Sequence, residues 1–168
     1  QRRLAGPEND HAGAEHLAYV HEWRRWLAWD GMRWAEERTL NVFNLSRALC
    51  REASGRITQR PLAAKIESAA TVAAIVSLAR ADRRHARLAA HFDRDPWLLN
   101  TPAGTLDLRT GRLRAHQRAD GFTKVTAVSP NAGTPARWLE CLKTWRRDDD
   151  ALTAFLQRLT GYFLTGSV

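Results

Sequence analysis

The chain has 168 residues, of which 44% are apolar and 26% charged, with a net charge of +8 and a pI near 10.6. That length and balance describe a soluble globular chain with room for one domain and a small appendage. They exclude a bilayer-spanning helix, since no apolar run reaches the roughly 18 residues that one needs. Residues 1–7 lack the apolar core of a signal peptide, so the expected setting is cytoplasmic. The positive charge favours polyanionic partners, although only Lys65, Lys124 and Lys143 are lysine and a GC-rich genome produces the same arginine skew. Cys50 and Cys141 have no metal-type spacing and sit among apolar neighbours, which predicts two buried thiols.

In chain order, residues 1–13 are polar, rich in Gly, Pro and Asn, and read as a flexible linker. Glu15 to Glu22 reads as a short helix. Asp30-Gly31 between Trp26-Leu27-Ala28-Trp29 and Met32-Arg33-Trp34-Ala35 predicts a two-residue hairpin turn, pairing Trp29 with Met32 and Leu27 with Trp34. Val42, Leu45 and Leu49 line one face of a helix over 41–53, which Ser54-Gly55 stops. Pro61 opens a longer helix, and Leu62, Ile66, Ala69, Ala73 and Val76 mark it as the central buried one.

The second half opens with Gly104-Thr105-Leu106-Asp107-Leu108-Arg109-Thr110-Gly111, a hairpin with alternating leucines. A strand is expected at Thr123 to Val128. Thr134-Pro135 then caps a helix carrying Trp138, Leu142 and Trp145, and Asp148-Asp149-Asp150 caps a last one. The buried stripe of that helix is expected to be Leu152, Phe155, Leu156, Leu159 and Phe163. The fold class is α+β, predominantly helical with two β-hairpins. It reads as a single domain over 14–168, with a candidate subdivision near 56–60.

Each candidate for chemistry has a plainer reading beside it. Gly161 to Ser167 has the glycine spacing of a phosphate-binding loop, but Ser167 stands where the lysine must be and the intervening residues continue a helix. Asp93 and Asp95 could hold a metal as alternate strand residues, yet Pro96 and Trp97 follow at once, which favours a turn or cap. His11, His16 and His21 recur every five residues, about 140° apart on a helix, so they diverge. No catalytic residue and no metal ligand is assigned.

Two arginine groups are the nucleic-acid candidates. Arg80, Arg83, Arg84 and Arg87 form one stripe if the preceding helix continues that far, and otherwise a solvated helix end. In the second hairpin a Thr110-Gly111 turn pairs Arg109 with Arg112, Leu108 with Leu113 and Asp107 with Arg114. The leucines then bury one face and cluster Arg109, Arg112 and Arg114 on the other, where a polyanion relieves like-charge repulsion.

The ordered fragments Ala14-Glu15-His16-Leu17, Trp29-Asp30-Gly31-Met32-Arg33-Trp34, Asp93 to Asn100 and Gly161-Tyr162-Phe163-Leu164-Thr165-Gly166 resemble the domain that precedes the superfamily 3 helicase motor in phage, plasmid and poxvirus primase-helicases. The resemblance implies a non-catalytic domain that couples primase to motor, supports ring assembly and guides DNA. Its partners would be DNA, the primase and helicase domains of the same polypeptide, and further copies of itself. ATP and Mg would belong to a motor that this sequence is expected to stop short of. Two departures stand out: Thr101-Pro102-Ala103-Gly104 replaces the usual Asn-Gly entry to the second hairpin, and Arg112 stands where an acid is common. The family pattern also makes Arg83 to His91 a connector rather than helix. A free-standing DNA-binding module, or a protein-interaction adaptor docking through Trp26 and Trp145, are the alternatives.

Overall fold

Leu17–Val20 forms β1, around which the first half of the chain is organised. The structure, a computed structural model, describes residues 16–146 and 149–166; the linker reading of residues 1–13 lies outside them. β1 pairs antiparallel with β2 (Arg25–Trp29) and parallel with β4 (Ala86–Arg87), while β2 pairs antiparallel with β3 (Trp34–Glu36), giving the order β3-β2-β1-β4. The short helix expected over 15–22 is therefore corrected to a strand. All of β1 is buried, and strands on both sides take up its backbone groups. A strand covered on both faces reads as a plain apolar run, without the alternation that would have marked it.

The first hairpin exists with a different register. Trp29 pairs with Trp34, Ala28 with Ala35 and Leu27 with Glu36, so residues 30–33 form a longer loop than the Asp-Gly turn predicts. Trp29 and Trp34 then meet as a tilted pair with ring centroids 6.0 Å and planes 59° apart, a contact between direct cross-strand partners.

α1 (Asn41–Gly55) ends at the expected glycine, but the buried stripe is Val42, Ser46, Cys50 and Ser54 rather than Val42, Leu45 and Leu49. Small side chains every fourth residue let α2 and α3 approach closely, and Leu45 and Leu49 are turned outward. The expected long helix is broken into α2 (Arg60–Glu67) and α3 (Ala69–Ala79). Ser68 between them is extended, with ψ 146°, and its hydroxyl accepts from the Thr71 amide as the cap of α3. α2 has no buried residue, whereas Val72 and Val76 of α3 are buried, so α3 alone supplies core. That core joins Leu17, Val42 and Val76, with Trp26 and Ala28 packed against it. No single helix among the described residues is long and apolar enough to cross a membrane; α2 and α3 together have the length but bend by 53°.

The described residues up to Asp30, with Trp34–His91, make one compact unit; Gly31–Arg33 with the residues from Phe92 onward make another. Residues 56–60 join α1 to α2 within the first.

The second unit holds an antiparallel sheet of β5 (Leu98–Thr101), β6 (Gly104–Asp107) and β7 (Arg112–Arg114), in that order. The second expected hairpin thus gains a third strand. Asn100 is its hub: the side-chain amide donates to the carbonyls of Met32 (3.0 Å) and Lys124 (2.9 Å), and its carbonyl oxygen lies 3.0 Å from His116 Nδ1. The Asn100 backbone carbonyl also accepts from Thr126 (2.9 Å). The strand expected at Thr123 to Val128 is not formed, because Asn100 supplies isolated bonds to that segment instead of a ladder.

α4 (Ala136–Arg146) buries Leu142 and leaves Trp138 and Trp145 exposed. α5 (Asp150–Phe163) starts at Asp149, whose carboxylate accepts from the Leu152 amide at 3.0 Å; Asp148 lies outside the described residues. The expected buried stripe of α5 is corrected: none of its residues is buried, and Phe155 and Phe163 are exposed. The architecture is mixed, with five α-helices and two small sheets among the described residues.

Candidate nucleic-acid interface

The three hairpin arginines are placed by the loop between β6 and β7. Asp107 shapes it, its carboxylate accepting from the Arg109 amide (2.8 Å) and its carbonyl from the Gly111 amide (2.8 Å). The first of these bonds, with further help from Thr110 and the Arg109 charge, holds the Asp107 carboxyl below its usual range. Residues 108–111 are consequently all loop, and the ladder pairs Leu106 with Leu113, Asp107 with Arg112 and Thr105 with Arg114.

The expected crowding of three arginines is therefore not built. Arg112 is exposed and lies across from Asp107. The Arg114 guanidinium makes two bonds to the Asp120 carboxylate, at 2.8 and 2.7 Å, which pushes the arginine pKa up further. Arg109 leaves the ladder to lie over the Trp97 ring, 5.2 Å from its centroid, with Asp95 at 3.7 Å. Arg109 and Arg112 keep solvent-facing charge, whereas Arg114 is committed to Asp120.

Asp93 and Asp95 serve the backbone. Asp93, at φ 48°, accepts from the Thr123 amide (2.9 Å) and the Thr123 hydroxyl; Asp95 accepts from the Trp97 amide (2.9 Å) across Pro96. Among the described residues no group of three or more His, Cys, Asp or Glu side chains could hold a metal, and His11 lies outside them. Gly161 belongs to α5 and Gly166 donates its amide to the Pro96 carbonyl at 2.9 Å, so this segment is a helix end rather than a phosphate loop.

Arg80, Arg83, Arg84 and Arg87 do not form a helical stripe, since α3 stops at Ala79. Arg80 reaches over the Tyr19 ring, 5.6 Å from its centroid. Arg84 pairs with Asp82 at 2.7 Å, and that side-chain bond, then the Arg84 backbone amide, keeps the Asp82 carboxyl well below its usual range. The Arg83 carbonyl accepts from the Arg87 guanidinium at 3.0 Å, and Arg87 itself lies on β4.

Sequence reasoning passed over the turn between β1 and β2, because a helix was expected over 15–22 and the first hairpin from Trp23 onward. It carries His21, Trp23 and Arg24, and Arg25 opens β2 beside it; all four are exposed, with Arg24 at φ 54°. Register sets Arg25, Val20 and Arg87 in one row across three strands. Beside that row Tyr19, His21, Glu22, Ala86, Arg87 and Leu88 line a cavity of about 410 Å³. The run Trp23-Arg24-Arg25, two residues after the apolar segment Leu17–Val20, was the signal available in the sequence.

The two tryptophans expected to dock partners differ. Trp26 packs on the core with its ring 5.1 Å from Tyr19 and 5.7 Å from His85, and its indole nitrogen is buried without a hydrogen-bond partner. Trp145 is 62% exposed and meets Trp138 edge-on at 6.1 Å. Of the thiols, Cys50 is buried as expected, but Cys141 is exposed because Leu142 turns inward on α4.

No curated protein matches the chain. The family model described as D5 N terminal like matches residues 9–148. With that match covering most of its length, the chain belongs to the D5 N-terminal-like family, the domain of phage and plasmid primase-helicase proteins.

Proposed function

We propose that this chain is a non-catalytic domain of a mobile-element DNA primase-helicase, coupling the primase to the helicase motor and supporting ring assembly and DNA engagement during replication. The family match over residues 9–148 carries this reading. The net charge of +8 and the solvent-facing Arg109 and Arg112 support contact with DNA. In this reading nucleotide hydrolysis and its magnesium belong to the motor of the same polypeptide.

The test compares the parental polypeptide with and without these residues. Loss of ring assembly and of coupled priming and unwinding is expected, while the purified chain alone should turn over no ATP. Unchanged assembly and unwinding after the deletion, or ATP turnover by the isolated chain, overturns the proposal.

One observation favours a second reading, a protein-interaction adaptor. α4 and α5 leave Trp138, Trp145, Phe155, Tyr162 and Phe163 exposed, and exposed aromatic side chains are enriched at docking faces. Stable capture of a primase or helicase fragment by the isolated chain, lost in Trp145→Ala, would favour it.

A further inference from the structure

We infer that the end of the first sheet, formed by the β1–β2 turn and β4, is a single-stranded DNA site, with the backbone phosphates held at Arg24, Arg25 and Arg87 and one unstacked base in the cavity between Tyr19, His21 and Leu88. The inference rests on the DNA-engagement part of the proposed function and assigns it to residues of the first unit rather than to the β6–β7 hairpin.

Charge is the first argument. Arg25 and Arg87 flank Val20 in one row, Arg24 is the next residue of the turn, and Arg80 lies against the Tyr19 ring that walls the cavity. The facing acids are Glu22, which accepts from the Ala89 amide at 3.3 Å, and Glu36, which lies 3.4 Å from Arg25. The Arg25–Glu36 pair is long and Arg25 is exposed, while half-buried Glu36 has Arg38 as a closer partner at 2.9 Å, so Arg25 is free to exchange onto a phosphate.

The second argument is the combination with aromatic surface. Binding of single strands without sequence preference uses a basic track beside rings on which bases stack. His21 is exposed at the cavity mouth and Trp23 is 39% exposed in the same turn, while Leu88 supplies an apolar wall. A volume of about 410 Å³ suits a small ligand group such as one base. A base inside a duplex reaches such a cavity only by being flipped out, which selects for single strands. The third argument is the backbone at Arg24. A φ of 54° at a non-glycine residue is uncommon, and such strained positions cluster at functional sites.

Fluorescence anisotropy of the full chain with a labelled single-stranded oligonucleotide, and with the same sequence as duplex, at several salt concentrations tests this. The double variant Arg24→Gly with Arg25→Gln removes two phosphate contacts, and glycine accepts the positive φ without strain. It should weaken single-strand binding about tenfold at low salt and reduce the slope of log K against log salt by about 1.4, at about 0.7 per contact. His21→Ala should weaken binding about fivefold or more, with little change in slope. Unchanged affinity and slope in the double variant, with circular dichroism unaltered, overturns this site while leaving the proposed function standing. Duplex bound as tightly as single strand overturns the cavity assignment. Absence of binding by the wild-type chain removes both this site and the DNA part of the proposed function.

Discussion

Arg114 on β7 and Asp120 in the turn beyond it form a two-bond pair, with N···O distances of 2.8 and 2.7 Å and the Asp120 side chain only 10% exposed. The pair ties the end of the second sheet to the short 3-10 turn at Arg118–Asp120, which the Thr105 hydroxyl also reaches at 3.5 Å. Charge-assisted bidentate bonds of this kind are the stronger class. Asp120→Ala should therefore destabilise the fold by about 1–3 kcal/mol, toward the lower end because solvent reaches Arg114. A double-mutant cycle in urea with Arg114→Ala should show the two losses coupled by at least about 0.5 kcal/mol. Additive losses would mean that the pair contributes nothing.

Asp93 combines a left-handed backbone with an acceptor role, at φ 48° and 2.9 Å from the Thr123 amide. Asparagine tolerates that backbone and keeps an acceptor, so Asp93→Asn should cost less than about 1 kcal/mol. Asp93→Ala loses the acceptor and strains the backbone, for about 2 kcal/mol in all. Chemical denaturation of the two variants checks the order. Equal losses, or stabilisation of the wild type by Mg²⁺ that both variants abolish, would favour the metal-holding reading of Asp93 and Asp95.

Two glycines of the second sheet separate backbone freedom from space. Gly104 has φ 143°, and a Cβ there would meet the Arg114 carbonyl oxygen at 2.3 Å, so Gly104→Ala should cost about 3 kcal/mol or more. Gly111 has φ 69° in open space, and Gly111→Ala should cost only about 1 kcal/mol. Thermal unfolding of the pair gives the comparison, and comparable Tm values would contradict the close approach of β6 to β7.

Asp82 carries a pH prediction. Its carboxyl is held well below the ordinary 3.8 by the Arg84 side chain and backbone amide, so the folded state binds the proton less readily than the unfolded chain. A depressed folded pKa contributes stability above the unfolded pKa, and that contribution is lost as pH falls through the folded one. The Tm gap between wild type and Asp82→Asn should be full at pH 6 and shrink progressively below about pH 4. Solvent screening at the exposed Arg84 partner keeps the gap small, and a gap that widened on acidification would reverse the assignment.

Where a residue's effect is local, the sequence alone determined the outcome. Gly55 ended α1, Asp149 began α5, Asp93 and Asp95 made turns, both hairpins formed, and the ordered fragments placed the chain in its family. The tertiary structure decided what depends on neighbours distant in sequence. Leu17–Val20 became a strand because β2 and β4 lie on either side of it, and Ser46, Cys50 and Ser54 faced inward because they are small enough for close helix packing. Register was the other such decision: both hairpins pair with longer loops than their turn residues imply, since the tilted contact of Trp29 with Trp34 and pairing of Asp107 with Arg112 outweigh the local turn preference. The arginines followed the register. A two-residue change in the pairing of β6 with β7 moved Arg109 out of the ladder and onto Trp97, and the pairing of β1 with both β2 and β4 put Arg25 in line with Arg87, because side-chain neighbours across a sheet are set by strand pairing and not by distance along the chain.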